Sequence, residues 1–286
     1  MIENQQNVEK KNEIANLTSP SQVKAWCIEH GFHPNKVLGQ NFLIDRNALV
    51  AIVDAGFAPL PAARASSPRV LEIGPGLGVL TEEMLARGAT VTAIEKDPVL
   101  AARLAGALGN PSNLTVIEGD ALEVLKRPSS AEYDVMVSNL PYQAGTRILL
   151  DLVETRRLPA MTVLVQTEVA ERLASAQGSK TRSLAGVWAQ LDYDVKIVRK
   201  VAASCFWPRP EIGSSVVTLV RHDRNVALSK EERDFFHNLT KQAFTHRRKQ
   251  LGSIFKDLIK STARAEELAN EDWITLVKGL LNNENA

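Results

Sequence analysis

Between Arg69 and Gln166 short apolar runs alternate with stretches of helical character, and this alternation constrains the fold more than any other feature. The runs are "RVLEI", "TVTAIE", "LTVIEG", "YDVMVSN" and "MTVLVQ". Each is too short for a buried helix and too continuous for a strand with one face in water. Strands read this way when crossover helices cover both faces of a parallel sheet. Helices are expected at 78–87, 98–108, 144–155 and 168–176. The pattern therefore predicts an α/β, Rossmann-like doubly wound sheet. Two further runs, "DVKIVRKV" and "SSVVTLVR", follow with little helix between them and predict a hairpin at the sheet's edge. In such sheets ligands bind outside the carboxyl ends of the strands, so the residues at those ends carry the functional information.

The flanks organise differently. Residues 1–18 are polar and are expected to be disordered. "SPSQVKAWCIEHG" predicts a helix with Ser19 as N-cap, Pro20 in the first turn, Gln22 completing a capping box and Gly31 ending it. Asp45 is placed to cap a second helix, "RNALVAIVDA", with Gly56 as its stop. "APLPAARASSP" predicts a linker or loop. After Arg221 strand signals cease, and Ser229 with Glu232 predicts another capping box ahead of "RDFFHNLTKQAFTHRR". The expected division is a sheet domain over 19–221 and a small all-helical domain over 222–286.

Residues 180–260 hold 16 Lys/Arg against 8 Asp/Glu, on a chain whose net charge is only +1. A basic region on a near-neutral protein points to a polyanionic partner, although charge runs also serve as plain solvated surface. Arg247, Arg248 and Lys249 stand at the end of a predicted helix, where cations suit both phosphates and the helix dipole. There is no apolar run long enough for a membrane span and no basic-then-apolar leader. Cys27 and Cys205 have no metal or disulfide spacing and fit a reducing, cytoplasmic setting without a metal.

Three strand ends carry polar signatures. The first strand runs into Glu72-Ile73-Gly74-Pro75-Gly76-Leu77-Gly78. Glycines there let a ligand approach the backbone, but a pyrophosphate fingerprint would want a glycine or alanine where Val79 stands. Glu95 ends the second strand, where a carboxylate can accept from both ribose hydroxyls. Asp120 ends the third and is placed to accept from a purine amino group. Each acid alone would be read as a cap for the following helix; together they predict a nucleoside crevice. The fourth strand ends in "SNLPY", which sets an amide, a stiff proline and an aromatic ring side by side.

With that last turn in place, the chain resembles the S-adenosylmethionine-dependent N6-adenine methyltransferases. "LGQNFLID", "EIGPGLGVLT", "IEKD", "GDAL", "SNLPY", "QTEVAERL", "FWPRP" and "AFTHRRKQL" narrow the resemblance to the ribosomal RNA small-subunit adenine dimethyltransferases, over about residues 35–255. It implies S-adenosyl-L-methionine held by Asn41, Leu43, Gly74, Gly76, Glu95, Asp120 and Asn139, with no metal. It implies catalysis at Asn139, Leu140 and Tyr142. Tyr142 and Phe206, the latter with Trp207, are expected to sandwich a flipped base, and Arg247, Arg248 and Lys249 to meet RNA phosphates. The implied substrate is a pair of adjacent adenosines in the 3′-terminal hairpin of small-subunit rRNA, free or in a pre-30S particle, with the protein acting as a monomer. A large-subunit adenine methyltransferase and an assembly factor with dispensable catalysis remain the alternatives. Val79 and "NLPY" disfavour a nicotinamide oxidoreductase. Two stretches depart from the family's pattern: "TRSLAGV" (181–187) replaces an aromatic-glycine pair with its Leu-Ser-Val run, and Gly213 stands where an acid is usual.

Overall fold

The computed structural model describes residues 17–127, 132–225, 227–256 and 258–284. The polar tail expected over 1–18 lies outside them, except for its last two residues. The described residues form two compact units. One contains the chain up to Ala170 together with Lys196–Val220; the other contains Glu171–Val195 together with the chain from Arg221 onward.

The first unit opens with α1 (Pro20–Glu29), whose cap Ser19 accepts from the Gln22 amide. The two-residue strand β1 (Phe42–Leu43) and helix α2 (Arg46–Phe57) follow, and Asp45 caps α2 by accepting from the Ala48 amide at 2.7 Å. Gly56 does not stop this helix. It is an internal residue that faces the sheet, where an added Cβ would lie 2.5 Å from Val137 Cγ2. It is a glycine of close packing, which the sequence does not distinguish from a terminating one.

The sheet contains β2 (Arg69–Ile73), β3 (Thr90–Glu95), β4 (Leu114–Glu118), β5 (Val135–Asn139), β6 (Ala160–Gln166), β7 (Tyr193–Val201) and β9 (Ser214–Arg221), in the order β4-β3-β2-β5-β6-β9-β7. Strands β2 to β6 pair in parallel, and β9 runs antiparallel to β6 over seven residue pairs. The helices between them are α3 (Val79–Ala86), α4 (Pro98–Ala107), α5 (Gly145–Thr155) and α6 (Thr167–Leu173). Val70, Val91, Val135, Val137 and Leu164 are fully or almost fully buried, each removal from water contributing about 1.5–3 kcal/mol. One short ribbon was not legible in the sequence: β8 (Phe206–Trp207) pairs antiparallel with β1.

The second unit holds α7 (Leu184–Asp192), α8 (Lys230–Thr245) and α9 (Asn270–Glu284). Its core gathers Val187, Leu191, Phe236, Leu239, Leu251, Trp273 and Val277. The capping box of Ser229 and Glu232 forms as the sequence predicts. The units divide between Val220 and Arg221, one residue from the expected cut, but also on either side of 171–195, which packs with the C-terminal helices. Arg182, 2% exposed, explains part of this. Its guanidinium donates to the Ser175 carbonyl, Gln190 Oε1 and Asn270 Oδ1. The Asp192–Arg233 ion pair, 2.7 Å and nearly buried, adds a second tie. Thus the departure "TRSLAGV" supplies a buried arginine clamp and helix α7, neither of which periodicity had indicated.

Candidate active site

A cleft opens at the carboxyl ends of β2, β3, β4 and β5, lined by the loop 37–41, the glycine turn, Glu95, Asp120 and Asn139–Ala144. The parallel register brings these strand ends together, although they are separated by up to 66 residues in the chain.

The glycine turn contributes shape rather than donors. Gly74, Gly76 and Gly78 all have positive φ, which L side chains rarely adopt. A Cβ on Gly76 would lie 3.1 Å from the Phe42 ring. The three glycine amides are all occupied within the protein: Gly74 donates to the Ile94 carbonyl, Gly76 to Glu95 Oε2 and Gly78 to the Pro75 carbonyl. These three amides are therefore not offered to a pyrophosphate. Beneath the turn lies Glu72, 1% exposed, which accepts from Thr81 Oγ1 at 2.6 Å. Burial pushes its carboxyl up to about 8, so it is largely protonated near neutrality.

The two strand-end acids differ. Glu95 is 6% exposed and accepts backbone N–H bonds from Gly76 and Asp97. Burial raises its pKa while those amides hold it down. Asp120 is more open, accepts from Lys96 Nζ at 2.8 Å and from the Leu122 amide at 2.9 Å, and the lysine lowers its pKa. It caps the turn Ala121–Val124 while still lining the cleft, so the capping and ligand-facing readings coexist in one carboxylate.

On the other side, Asn139 Nδ2 donates to the Asn41 carbonyl at 3.1 Å. That bond commits the amide nitrogen and leaves Oδ1 as an acceptor. Among the described residues no donor reaches Asn139 Oδ1 or the Leu140 carbonyl. The Leu140 amide donates to the Leu164 carbonyl, and its side chain is buried. Tyr142 donates to or accepts from Ser214 Oγ at 2.6 Å, and burial raises its pKa. Ser214, the first residue of β9 and fully buried, was not anticipated, since nothing in a serine pair marks a tyrosine anchor. Asn41 and Leu43 also line the cleft.

Other expected site residues are placed elsewhere. Phe206 is 2% exposed and packed in the core, and neither it nor the half-buried Trp207 lines the cleft. Phe206 stands beside Leu43 in the β1–β8 ribbon, and both side chains are buried in the core. Arg247 is tied down in the second unit, with Nε 2.6 Å from Glu266 Oε2 and an η nitrogen donating to the Lys180 carbonyl. Arg248 and Lys249 are exposed.

A crevice with a glycine turn whose glycine amides are occupied and a buried acid at the end of β3 suits a nucleoside bearing a short amphoteric tail. The residues present fit S-adenosylmethionine in this way, and the fold is that of the S-adenosylmethionine-dependent methyltransferases. The profile of the family described as "Ribosomal RNA adenine dimethylase" matches residues 31–279. The chain is 45% identical to the ribosomal RNA small subunit methyltransferase A of Deinococcus radiodurans over 209 residues, 72% of this chain and 68% of that one. It is 36% identical to the protein of the same name from Mycobacterium tuberculosis over 284 residues, covering 92% and 88% of the two chains. Its fold matches a crystal structure of a dimethyladenosine transferase from Plasmodium falciparum with a TM-score of 0.70 at 24% identity, covering 85% of this chain and 98% of that one. The chain belongs to the ribosomal RNA adenine dimethylase family.

Proposed function

We propose that this protein transfers methyl groups from S-adenosylmethionine to N6 of two adjacent adenosines in the 3′-terminal hairpin of small-subunit rRNA, giving N6,N6-dimethyladenosine during ribosome biogenesis. The observation that carries the reading is the pair of acceptors that no donor of the described residues meets, Asn139 Oδ1 and the Leu140 carbonyl, on consecutive residues at the end of β5. The relatives' names favour the small subunit over the large one.

The bound cofactor supplies an electrophilic methyl group on a sulfonium. The exocyclic N6 of adenine is a poor nucleophile because its lone pair is delocalised into the ring. Asn139 Oδ1 and the Leu140 carbonyl accept its two hydrogens and favour a tetrahedral nitrogen with a free lone pair. Positive charge develops on that nitrogen during attack, and two preoriented acceptor dipoles stabilise it. Pro141 stiffens the turn, and the Tyr142 ring, anchored by Ser214, gives the flipped base a stacking surface. Glu95 holds the ribose of the cofactor, Asp120 its purine amino group, and Asn41 and Leu43 cover it. Trp207, more exposed than Phe206, is the aromatic residue of "FWPRP" available to RNA. Arg248 and Lys249 meet phosphates, in a protein that works as a cytoplasmic monomer on a pre-30S particle.

The test is mass mapping of methyladenosine in small and large ribosomal subunits incubated with the protein and labelled cofactor. Label confined to N6 of adjacent adenosines near the 3′ end of small-subunit RNA is expected. Methyl groups only on ring carbons, ribose or guanine, or only in the large subunit, would overturn the reading. Among the described residues no helix is long and apolar enough to cross a membrane.

A further inference from the structure

The loop from Asn35 to Asn41 touches both halves of the cleft, and one side chain holds it there. Gln40 Oε1 accepts from the Asn35 amide at 2.7 Å, which closes the loop on itself. Gln40 Nε2 donates to Asp97 Oδ2 at 2.9 Å, which ties the loop to the sheet. Asp97 also joins the cofactor side: its amide donates to Glu95 Oε1, and its other oxygen caps α4 through the Val99 and Leu100 amides. Directly after Gln40, the Asn41 carbonyl receives the Asn139 amide. Just before it, Gly39 (φ +67°) sits so close to the substrate side that an added Cβ would lie 3.2 Å from the Tyr142 nitrogen.

From this series of hydrogen bonds we propose that Gln40 is a positioning residue that couples the halves: by latching the loop to Asp97 it places the Asn41 carbonyl that orients Asn139, so cofactor capture and substrate activation share one brace. The inference rests on the reading of Glu95 and Asn139 given above. It goes beyond a cofactor lid, because a lid alone would affect binding and leave turnover unchanged. Two oxygens on Asp97 with three donors between them, and two ends of one amide on Gln40, make the link directional. The Gln40 nitrogen must face Asp97 because Asn35 already donates to its oxygen.

That direction can be reversed. In Gln40→Glu two carboxylates meet where a donor stood, and in Asp97→Asn two amide donors compete. In the double variant Gln40→Glu with Asp97→Asn, the donor comes from position 97 and the acceptor from position 40. Each single variant is expected to weaken binding of S-adenosylhomocysteine about 10-fold and to lower kcat at saturating substrates several-fold, with the double variant returning both to within about 3-fold of wild type. Calorimetry with S-adenosylhomocysteine measures the latch without methyl transfer, and steady-state methylation of a target hairpin at saturating substrates measures the coupling. Gln40→Ala, at a half-buried loop position, repeats the test if the position-97 variants do not fold, and both quantities are expected to fall. Unchanged kcat in Gln40→Ala or Gln40→Glu, or a folded double variant no better than the singles, would overturn the proposal. Failure of the underlying site reading has a separate signature, namely full turnover in Asn139→Ala with the Gln40 latch intact.

Discussion

The two sides of the cleft are built from opposite materials. On the cofactor side, the ends of β2 and β3 meet in a glycine turn whose amides are occupied internally, over a buried protonated Glu72 and beside a buried Glu95. On the substrate side, the end of β5 presents two acceptors without donors and a tyrosine anchored 72 residues away in sequence. On the first side the three glycine amides and both Glu95 oxygens already carry hydrogen bonds within the protein, which fixes their geometry. The second is left with unmet acceptors, which gives it a specific demand for two N–H groups. Asn139 Oδ1 stays open to the cleft, where solvent meets it until a ligand does, and the surrounding scaffold fixes its place.

The sharpest way to break this contrast is Asn139→Ala. Turnover is expected to fall on the order of 10²–10³-fold, as for loss of one oriented transition-state partner, with cofactor and RNA affinity nearly intact. Single-turnover kinetics with separate binding titrations checks it. Equal losses in affinity and rate would mean that the two sides are not distinct.

Glu72→Gln probes the side of the glycine turn next. In the folded protein this carboxyl titrates near 8 rather than 4.5, so the native state retains a proton that the unfolded chain has released between those values. The stability it contributes is therefore fully present below about pH 4.5 and is lost as pH rises towards 8. The glutamine keeps a group facing Thr81 and cannot ionise. Its stability relative to wild type should rise by up to a few kcal/mol across that window, measured by urea unfolding at pH 5 and pH 8. A constant difference would place Glu72 outside the titrating set.

Glu95→Ala should weaken cofactor binding by about 1–3 kcal/mol by leaving ribose hydroxyls unpaired, while RNA affinity holds. Calorimetry on the folded variant decides this, and an unaltered cofactor affinity would remove Glu95 from the ribose. The smallest expected effect lies in the second unit. Arg248→Ala with Lys249→Ala should flatten the salt dependence of RNA binding, by up to about 0.9 in slope for each duplex phosphate that is no longer neutralised. Arg247→Ala should leave the slope unchanged and lower the melting temperature, because its partners are Glu266 and the Lys180 carbonyl. A change of slope in Arg247→Ala would reverse that assignment.

The amino-acid sequence by itself determined the parallel sheet, the strand-end positions of Glu95, Asp120 and Asn139, and the caps at Ser19, Asp45 and Ser229. These follow from periodicity and from hydrogen bonds within a few residues, which local spacing encodes. It did not determine which side of an amide faces the substrate, since that depends on the Asn41 carbonyl, 98 residues away. Nor did it show that Ser214 anchors Tyr142, that Phe206 pairs with Leu43 and is buried, that Gly56 packs on Val137, or that Arg247 is tied to Glu266. It did not show that 171–195 clusters with the chain from Arg221 onward, because the tie is a buried arginine whose partner there, Asn270, carries no periodic signal. Residue type and spacing fix which groups stand at a strand's end. Only the packed chain decides which of them are already satisfied, and the groups left unsatisfied are the ones available for chemistry.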